Sequence, residues 1–290
     1  MRRHVPFAPA PDLSPRERLD RARTSFSGRI GWHAMRLEDG AQYSERADER
    51  FPTASVIKVA LVATALDLVA RGEADLDEIV SLPARGDRVT GGGVLKHLDV
   101  GALSLRDLCE LAIVVSDNAA TNAVFERVGG AARIAAFTSA LGYRDTAMPG
   151  PVDFATITND VDGGIGVSTA RETADLLRRI AQREIAGSEA LEGMLRRQHY
   201  QDQLPRWLGW NPYAQWHGRE EDLLVGNKTG ELDGIRADCG IVRRRGVGTL
   251  CLAIFTDGGS DRRETVDVEG SLVVAECAAA ICADLLGLDC

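Results

Sequence analysis

The stretch Phe51-Pro-Thr-Ala-Ser-Val-Ile-Lys58 places a serine and a lysine three residues apart at the start of an apolar run that reaches Val69. Proline is excluded from a helix interior, whereas the run after Pro52 has helical period. Ser55 is therefore predicted to lie in the first turn of a helix. Side chains at i and i+3 share one helix face, so the Ser55 hydroxyl and the Lys58 amine can touch.

This pair has the chemistry of an activated nucleophile. A serine hydroxyl reacts well when a neighbouring base takes its proton, and a lysine can be that base once burial or nearby positive charge lowers its pKa. Lys58 is predicted to be buried and close to the positive end of a helix dipole, and both effects lower its pKa. A Ser-x-x-Lys spacing also occurs by chance in chains of this length, so the pair alone does not decide the function.

Composition restricts the class of protein. The chain has 290 residues, of which 44% are hydrophobic, enough to bury a large core in one domain or two closely packed ones. A net charge of −9 argues against a nucleic-acid partner, because phosphate binding needs a basic surface. Arg243-Arg244-Arg245 is interpreted as a solvated turn. No window is long and apolar enough to predict a membrane span.

The N-terminus and the metal-binding residue types favour a cytoplasmic protein without a cofactor. Prolines interrupt residues 1–11 where a signal sequence has an unbroken apolar core. The five histidines are scattered, and none is spaced with a second ligand on a helix face, so no metal is predicted. The cysteines form no Cys-x-x-Cys pair and lie mostly in apolar runs, which predicts reduced thiols in the core: Cys109, Cys239, Cys251, Cys277, Cys282 and Cys290.

A second polar group lies between two apolar helical stretches. Ser104 is a favourable N-cap for a helix over 105–115, and another helix is predicted over 119–127. Between them lies Ser116-Asp117-Asn118. Polar residues between buried helices are costly unless each has a partner or a role. Either they are functional, or Ser116 and Asp117 cap the next helix.

Three other segments are candidates for ligand contact. Residues 90–95 contain three consecutive glycines, which either allow close approach of a ligand or form a plain loop. Residues 143–167 are long and aperiodic, which is typical of a functional loop. Between Pro205 and Leu224 lies an aromatic cluster that is a lid, a ligand wall or, as we favour, loop packing: Trp207, Trp210, Tyr213, Trp216 and His217.

The order of helices and strands predicts a mixed α/β (α+β) fold. Strands occur near both ends and helices fill the middle, which implies one antiparallel sheet built from both ends with an all-helical subdomain inserted. The expected division is 1–25 for an N-terminal arm and the start of the first helix, 26–53 plus 190–290 for the sheet, and 54–189 for the helical subdomain. Helices are predicted at 13–25, 55–69, 105–115, 119–127, 131–141, 170–182, 188–203 and 266–286, and strands at 29–36, 41–44, 239–243 and 249–257.

Three short motifs occur in a fixed order: Ser55-Val-Ile-Lys58, Ser116-Asp117-Asn118 and Lys228-Thr229-Gly230. This set resembles that of the class A β-lactamase family, within the penicillin-recognising serine hydrolases, and the resemblance covers most of the chain.

The chain is also similar to the β-lactamase-like serine hydrolases in which Lys-Thr-Gly-Glu continues as Gly-x-Arg-x-Asp, here Gly234-Ile-Arg236-Ala-Asp238. The resemblance implies an antiparallel five-stranded sheet flanked by the terminal helices, with the helical subdomain inserted.

The resemblance also implies catalytic roles. Ser55 would be the acylated nucleophile and Lys58 its proton acceptor. Ser116 would relay a proton to the leaving nitrogen as a general acid. Lys228 would hold Ser116 in line and attract a substrate carboxylate.

Further residues are implied as substrate contacts. Asn118 would hydrogen-bond a substrate amide. Gly230 and Glu231 would belong to the edge strand along the substrate, and the Glu231 N–H would form an oxyanion hole with that of Ser55. Thr229 and Arg236 would bind the substrate carboxylate, Arg236 in a bidentate pair. The alternative for Arg236 is an ion pair with Asp233 or Asp238.

Two departures from the family pattern affect the expected activity. Class A enzymes carry a loop glutamate that activates the deacylating water, but residues 149–164 contain only Asp153, Asp160 and Asp162 as acids. An acyl-enzyme is therefore expected to form and persist. Many relatives also have a disulfide for which Cys109 fits one position, but Val62 occupies the other, so the bridge cannot form.

The leading hypothesis is a serine hydrolase that forms an acyl-enzyme at Ser55 with a small-molecule β-lactam or a related amide or ester. The alternatives are a cytosolic D-amino-acid peptidase or esterase, an acyl transferase with slow or no β-lactam turnover, and a non-catalytic binder on the same fold. Neither a nucleic acid nor a membrane is expected as a partner.

Overall fold

The computed structural model describes residue 10 and residues 12–158, 160–162, 164–212 and 222–290. Its helices and strands in chain order are α1 Pro15–Ser25, β1 Arg29–Arg36, β2 Gln42–Glu45, β3 Arg50–Pro52, α2 Lys58–Ala70, β4 Ile79–Ser81, β5 Ala102–Ser104, α3 Leu105–Val114, α4 Asn118–Val128, α5 Gly130–Ala140, β6 Val167–Thr169, α6 Ala170–Ala181, α7 Ser188–Arg196, β7 Leu223–Leu232, β8 Ile235–Arg244, β9 Gly248–Asp257 and α8 Glu269–Leu286.

A five-stranded sheet in the order β2-β1-β9-β8-β7 forms the centre of the fold, and its pairs are antiparallel. The predicted mixed fold with a five-stranded antiparallel sheet is therefore confirmed. β7 lies at an edge of the sheet, and this edge strand carries Lys228, Thr229 and Gly230.

The two faces of the sheet belong to two hydrophobic cores because side chains alternate along each strand. In β9, Cys251, Ala253 and Phe255 pack into the core that includes α2 and the other helices of the middle of the chain. Leu252 and Ile254 pack into the second core, with α1 and α8. This explains why β9 reads as a continuous apolar run: both of its faces are buried.

Helix α2 is buried on all sides along most of its length. From Val59 to Ala70 its sequence is apolar except for Thr64 and Asp67, as expected for a helix enclosed by other elements. The residue at its start, Lys58, is fully buried. A charged side chain at this place has a high desolvation cost, which makes Lys58 a candidate functional residue.

Several local predictions were wrong at their boundaries. Ser55 lies in a 3₁₀ turn, Ala54–Ile57, rather than in the α-helix itself. The helix predicted over 188–203 ends at Arg196, where Gln198 turns the chain by donating to Ile113 O and accepting from the His199 N–H. The last helix begins at Glu269.

Four three-residue strands were not predicted. β3 pairs with β6 and β4 pairs with β5, in two separate two-stranded sheets. Strands this short carry too few residues for a periodic pattern, and pairing with distant partners forms them. β3 leads directly into the turn that carries Ser55, so this pairing fixes where the turn begins.

The ends of the chain are joined by a buried ion pair. Arg18 in α1 donates to Glu276 in α8 through Nε and Nη2, both at 3.0 Å, and both side chains are buried.

Each of the six cysteines is a free thiol, and all but Cys290 are buried, as predicted. Of the helices in the described residues, none combines the length and apolarity needed to cross a membrane.

The aromatic cluster is described in part. Trp207 and Trp210 pack against the second core, in agreement with the interpretation as loop packing. Tyr213, Trp216 and His217 lie outside the described residues.

The division of the chain into a sheet subdomain and an inserted helical subdomain remains a proposal.

Candidate active site

The turn that carries Ser55 is held from both sides. The Thr53 N–H donates to Gly166 O at 2.9 Å, and the Val56 N–H donates to Thr53 O at 3.1 Å. Ala54 has a φ of +44°, a conformation that costs a non-glycine residue about 1–3 kcal/mol and clusters at functional sites. Ser55 is half-buried, while its neighbours on both sides are buried. The turn thus presents the hydroxyl of this one residue to solvent.

Lys58 lies at the end of this turn with its amine enclosed. Its Nζ is 2.8 Å from Ser116 O, 2.8 Å from Asn118 Oδ1 and 3.1 Å from Ser116 Oγ. Among the hydrogen bonds of the described residues, none joins Lys58 Nζ to Ser55 Oγ. The Ser-x-x-Lys spacing thus brings Ser55 and Lys58 to one turn. The Lys58 amine, however, contacts Ser116 and Asn118 of the second motif rather than the Ser55 hydroxyl.

Ser116 is the junction of the three motifs. Its Oγ lies 3.1 Å from Lys58 Nζ and 3.1 Å from Lys228 Nζ. Lys228 Nζ also donates to Thr229 O at 2.7 Å. Ser116 has a φ of +53°, so a second strained non-glycine residue lies in the same site. Segments that are far apart in the sequence therefore converge on one hydroxyl.

Burial sets the electrostatics of the two lysines. It lowers the pKa of Lys58 well below the ordinary value, and the positive charge of Lys228 lowers this pKa further. Burial also lowers the pKa of Lys228, to about 8, against the opposing effect of the Asp238 carboxylate. One of the two amines can therefore be neutral while the other still carries a proton near neutral pH.

Asp117 resolves one of the alternatives left by the sequence. Its Oδ1 accepts from the Ala120 N–H at 2.9 Å, so Asp117 caps α4 as the structural interpretation predicted. Its Oδ2 accepts from the N–H groups of Val94 and Leu95, at 2.6 and 2.7 Å. Ser116 does not have this capping role, since its hydroxyl contacts the two lysines. The cap also ties the glycine-rich loop to the site.

The glycine-rich loop is part of the site rather than a plain connection. A Cβ at Gly93 would lie 2.3 Å from Asp117 Cα, and one at Gly91 would lie 2.8 Å from Asn118 Nδ2. Gly91 and Gly92 line the same cavity as Ser55. The glycines allow a close approach as predicted, but the group that comes close is the protein segment 116–118 rather than a ligand.

A cavity of about 530 Å³ contains most of the candidate residues. Its size is within the range of small-molecule sites. Six of the nine predicted site residues line it: Ser55, Ser116, Asn118, Thr229, Glu231 and Arg236. The other three, Lys58, Lys228 and Gly230, are buried behind this lining. The cavity therefore brings the predicted nucleophile and the predicted substrate contacts to one place.

The structure contradicts one of the two interpretations of Arg236, the ion pair with Asp233 or Asp238. Its Nη1 donates to the backbone oxygens of Leu232 and Ile235, both at 2.8 Å. In the described part of the chain it pairs with neither candidate acid, because Asp233 pairs with Arg262 at 3.0 Å and Asp238 accepts from Leu204 N. Arg236 also lines the cavity.

The loop before β6 supplies an apolar wall instead of a base. Asp153, Asp160 and Asp162 are exposed, and Asp162 pairs with Arg50. None of the three is among the described residues that line the cavity, whereas Phe154, Ile157 and Ile165 are. The aperiodic length of this loop indicated a functional segment, but no local pattern showed which of its side chains face inward.

Other lining residues were also missed by the sequence. Tyr200 follows α7 in an irregular segment, and Glu264 lies in the loop before α8, where no motif marks either one. Within the described residues, no group of three or more His, Cys, Asp or Glu side chains is arranged to hold a metal ion.

Comparison with known proteins gives the family that the three motifs resemble. Residues 14–283 match the model of the β-lactamase enzyme family. The imipenem-hydrolysing β-lactamase of Enterobacter cloacae is 28% identical over 250 residues, which cover 80% of this chain and 78% of that protein. The crystal structure of a β-lactamase from Sphaerobacter thermophilus has a TM-score of 0.81 at 24% identity and covers 95% of this chain and 98% of its own.

A variant of the last common ancestor of the class A β-lactamases of Gram-negative bacteria has a TM-score of 0.79 at 25% identity, over 93% of this chain and 97% of its own. The chain therefore belongs to the β-lactamase enzyme family and is class A-like. Membership supports a serine hydrolase of this fold.

Proposed function

We propose that the protein is a serine hydrolase that forms an acyl-enzyme at Ser55 with a small β-lactam or a related amide or ester. The observation that carries this proposal is the position of Ser116 Oγ, 3.1 Å from the amines of both Lys58 and Lys228, in the cavity that Ser55 also lines. An acyl-transfer site needs a nucleophile, a base and a proton donor within reach of one another.

One protonation pattern accounts for all the contacts of the two lysines. A neutral Lys58 amine has two N–H groups, which suit Ser116 O and Asn118 Oδ1, and one lone pair, which suits the Ser116 hydroxyl proton. A protonated Lys228 then donates to Ser116 Oγ and to Thr229 O. The directions of the pKa shifts support this pattern, since the pKa of Lys58 is lowered more strongly.

Acylation then proceeds by proton transfers between neighbours. Ser55 Oγ attacks the substrate carbonyl carbon, and its proton passes to Lys58, whose lone pair must first turn from Ser116 Oγ towards Ser55 Oγ. The C–N or C–O bond breaks, and the leaving atom takes a proton from Ser116, which regains one from Lys58, so both lysines end in their starting protonation states. The backbone N–H groups of Ser55 and Glu231 would stabilise the oxyanion, and such donors contribute roughly 3 kcal/mol each.

The remaining predicted residues would orient the substrate. Asn118 lines the cavity with its amide oxygen bound to Lys58, and its Nδ2 donates to Thr90 O at 3.1 Å. Thr229 and Arg236 would bind a substrate carboxylate, with Lys228 adding positive potential. Gly230 would keep the edge strand close to the Ser55 turn.

The apolar wall favours a second candidate, an acyl transferase or slow peptidase of the same fold. Phe154, Ile157 and Ile165 supply no base for water, so the ester at Ser55 would be released slowly or passed to another acceptor. A non-catalytic binder is less well supported because the serine and both lysines are present and enclosed together.

The test combines a chromogenic cephalosporin with intact-mass measurement. The leading proposal predicts a mass increase equal to the acyl group in the wild type and none in Ser55→Ala. Rapid colour development would show true β-lactamase turnover, while a persistent adduct would favour the slow acyl-enzyme. A wild-type protein that neither gains mass nor releases colour with penicillins, cephalosporins or activated esters would contradict the proposal.

A further inference from the structure

Asp238 is a fully buried acid that neither gives nor takes a proton in the proposed acylation. It lies in β8 directly opposite Thr229 of β7. One carboxylate oxygen accepts from the Leu204 N–H at 3.0 Å, and the Asn227 side-chain amide lies 3.0 and 3.2 Å from the two oxygens. The carboxylate therefore joins the sheet to a segment outside it.

That segment, residues 200–204, is connected to the sheet edge at further points. Asn227 Nδ2 is 3.4 Å from Tyr200 O, and Gln203 Nε2 donates to Glu231 Oε1 at 3.2 Å. Tyr200 and Glu231 both line the cavity. Residues 200–203 have no regular structure of their own, so side-chain hydrogen bonds hold them in place.

We propose that Asp238 is a positioning residue for substrate binding: together with Asn227 it holds residues 200–204 against β7 and β8 and so sets the Tyr200 side of the cavity. The substrate class rests on the proposed function, but the anchoring of the segment does not.

The chemical nature of this contact supports a specific role. Burial raises the pKa of Asp238 to about 8, so an ionised carboxylate has a high desolvation cost here. Leu204 and Asn227 donate to it, and the Lys228 charge also favours ionisation, while Asp202 opposes it. An apolar side chain would fill this space without that cost, but it would leave the buried Leu204 N–H without an acceptor.

An exchange of partners tests the proposal. In Asp238→Asn, the new side-chain NH2 group faces the NH2 group of Asn227, so two donors meet. In Asn227→Asp, the new carboxyl group faces that of Asp238, so two acceptors meet. The double variant Asp238→Asn/Asn227→Asp restores one acceptor facing one donor, and the amide oxygen introduced at position 238 would still accept from Leu204. Only the longer contact of residue 227 with Tyr200 O, at 3.4 Å, is not restored.

We expect each single variant to raise the KM for a cephalosporin about tenfold, which corresponds to the loss of roughly one hydrogen bond. The double variant should recover to within about threefold of the wild type. A double variant no better than the single ones would contradict a direct pairing of the two side chains.

The matched control is Asp175→Asn in α6. Asp175 accepts hydrogen bonds from Arg178, Arg179 and Tyr143, but it is not among the described residues that line the cavity. Its loss should lower the melting temperature without changing KM. A KM that moves equally in this control and in Asp238→Asn would show that the effect is general destabilisation and would overturn the proposal.

Amide hydrogen exchange separates this inference from the proposed reaction. The Leu204 N–H should be protected in the wild type and in the double variant. It should exchange at least about tenfold faster in Asp238→Asn, where repulsion between the new amide donor and Asn227 Nδ2 displaces the side chain at position 238 from Leu204. This result would support the anchoring even if the wild type acylated with no reagent, which would remove only the proposed function. Equal Leu204 protection in the wild type and Asp238→Asn, with unchanged KM, would overturn the inference.

Discussion

Gly230 of the edge strand lies so close to Thr53 that a Cβ at position 230 would be 2.4 Å from the Thr53 carbonyl oxygen. The same Cβ would be 3.1 Å from the Ser55 backbone nitrogen, one of the two proposed oxyanion donors. The third motif thus supports the first through contact of backbone with backbone. Glycine is required here by proximity, since its φ is not in the left-handed region.

Gly230→Ala should therefore displace the nucleophile turn. Backbone atoms cannot move aside as a flexible side chain can, and a shift of about 1 Å in a catalytic group can lower a rate by about a hundredfold. We expect acylation of Ser55 to slow by this order, measured as the rate of mass gain with excess penicillin. Gly150→Ala is the control, because a Cβ there has no neighbour within 4 Å among the described residues. Acylation of Gly230→Ala at the wild-type rate would contradict the claim that the close approach of Gly230 to Thr53 positions the Ser55 turn.

The pKa of Lys228 predicts the alkaline side of the pH profile. Its pKa of about 8 means that the ammonium is present below this pH and is lost as the pH rises through it. Acylation by a β-lactam with a carboxylate should fall about tenfold per pH unit above this pKa. In Lys228→Arg the cation persists, because a guanidinium is not deprotonated in this range, so the fall should disappear even if the maximum rate is lower. An identical alkaline fall in both proteins would assign it to another group.

The motifs, four of the five strands of the central sheet and most helices were predictable from local spacing or periodicity. The edge strand β7 was expected only through the family resemblance. Ser55, Ser116 and Lys228 could be paired only through a family resemblance, since the structure brings them together over long separations. The contributions of Phe154 and Tyr200 to the cavity lining could not be predicted. Both residues lie in irregular segments whose course is set by distant contacts, such as those of Asn122 with Val152 and of Asn227 with Tyr200.

Asp117 should be important for stability as well as for the site. Asp117→Ala removes the acceptor of three backbone N–H groups, those of Val94, Leu95 and Ala120. We expect a loss of about 3 kcal/mol in the free energy of unfolding, measured with urea, and a smaller loss in Asp117→Asn. The exposed Asp107→Ala should change stability by less than about 1 kcal/mol. Equal effects at the two positions would contradict the anchoring of the glycine-rich loop by Asp117.

The apolar wall predicts that release of the acyl group is limited by activation of water. Hydroxylamine needs less activation than water, so it should shorten the lifetime of the Ser55 adduct and yield a hydroxamate. Two parallel mass measurements, with and without hydroxylamine, give the ratio of lifetimes. A short lifetime that hydroxylamine leaves unchanged would mean that a base for water is already in place, and the wall would not explain the kinetics.

The most direct measurement is the site of acylation. The protein is treated with a fluorescent penicillin, digested, and the labelled peptide is sequenced by mass spectrometry. The label should be attached to the peptide that contains residues 51–58, at Ser55, and Lys58→Met should reduce its formation strongly. A label on Ser116 or on a residue outside the cavity would contradict the assignment of Ser55 as the nucleophile.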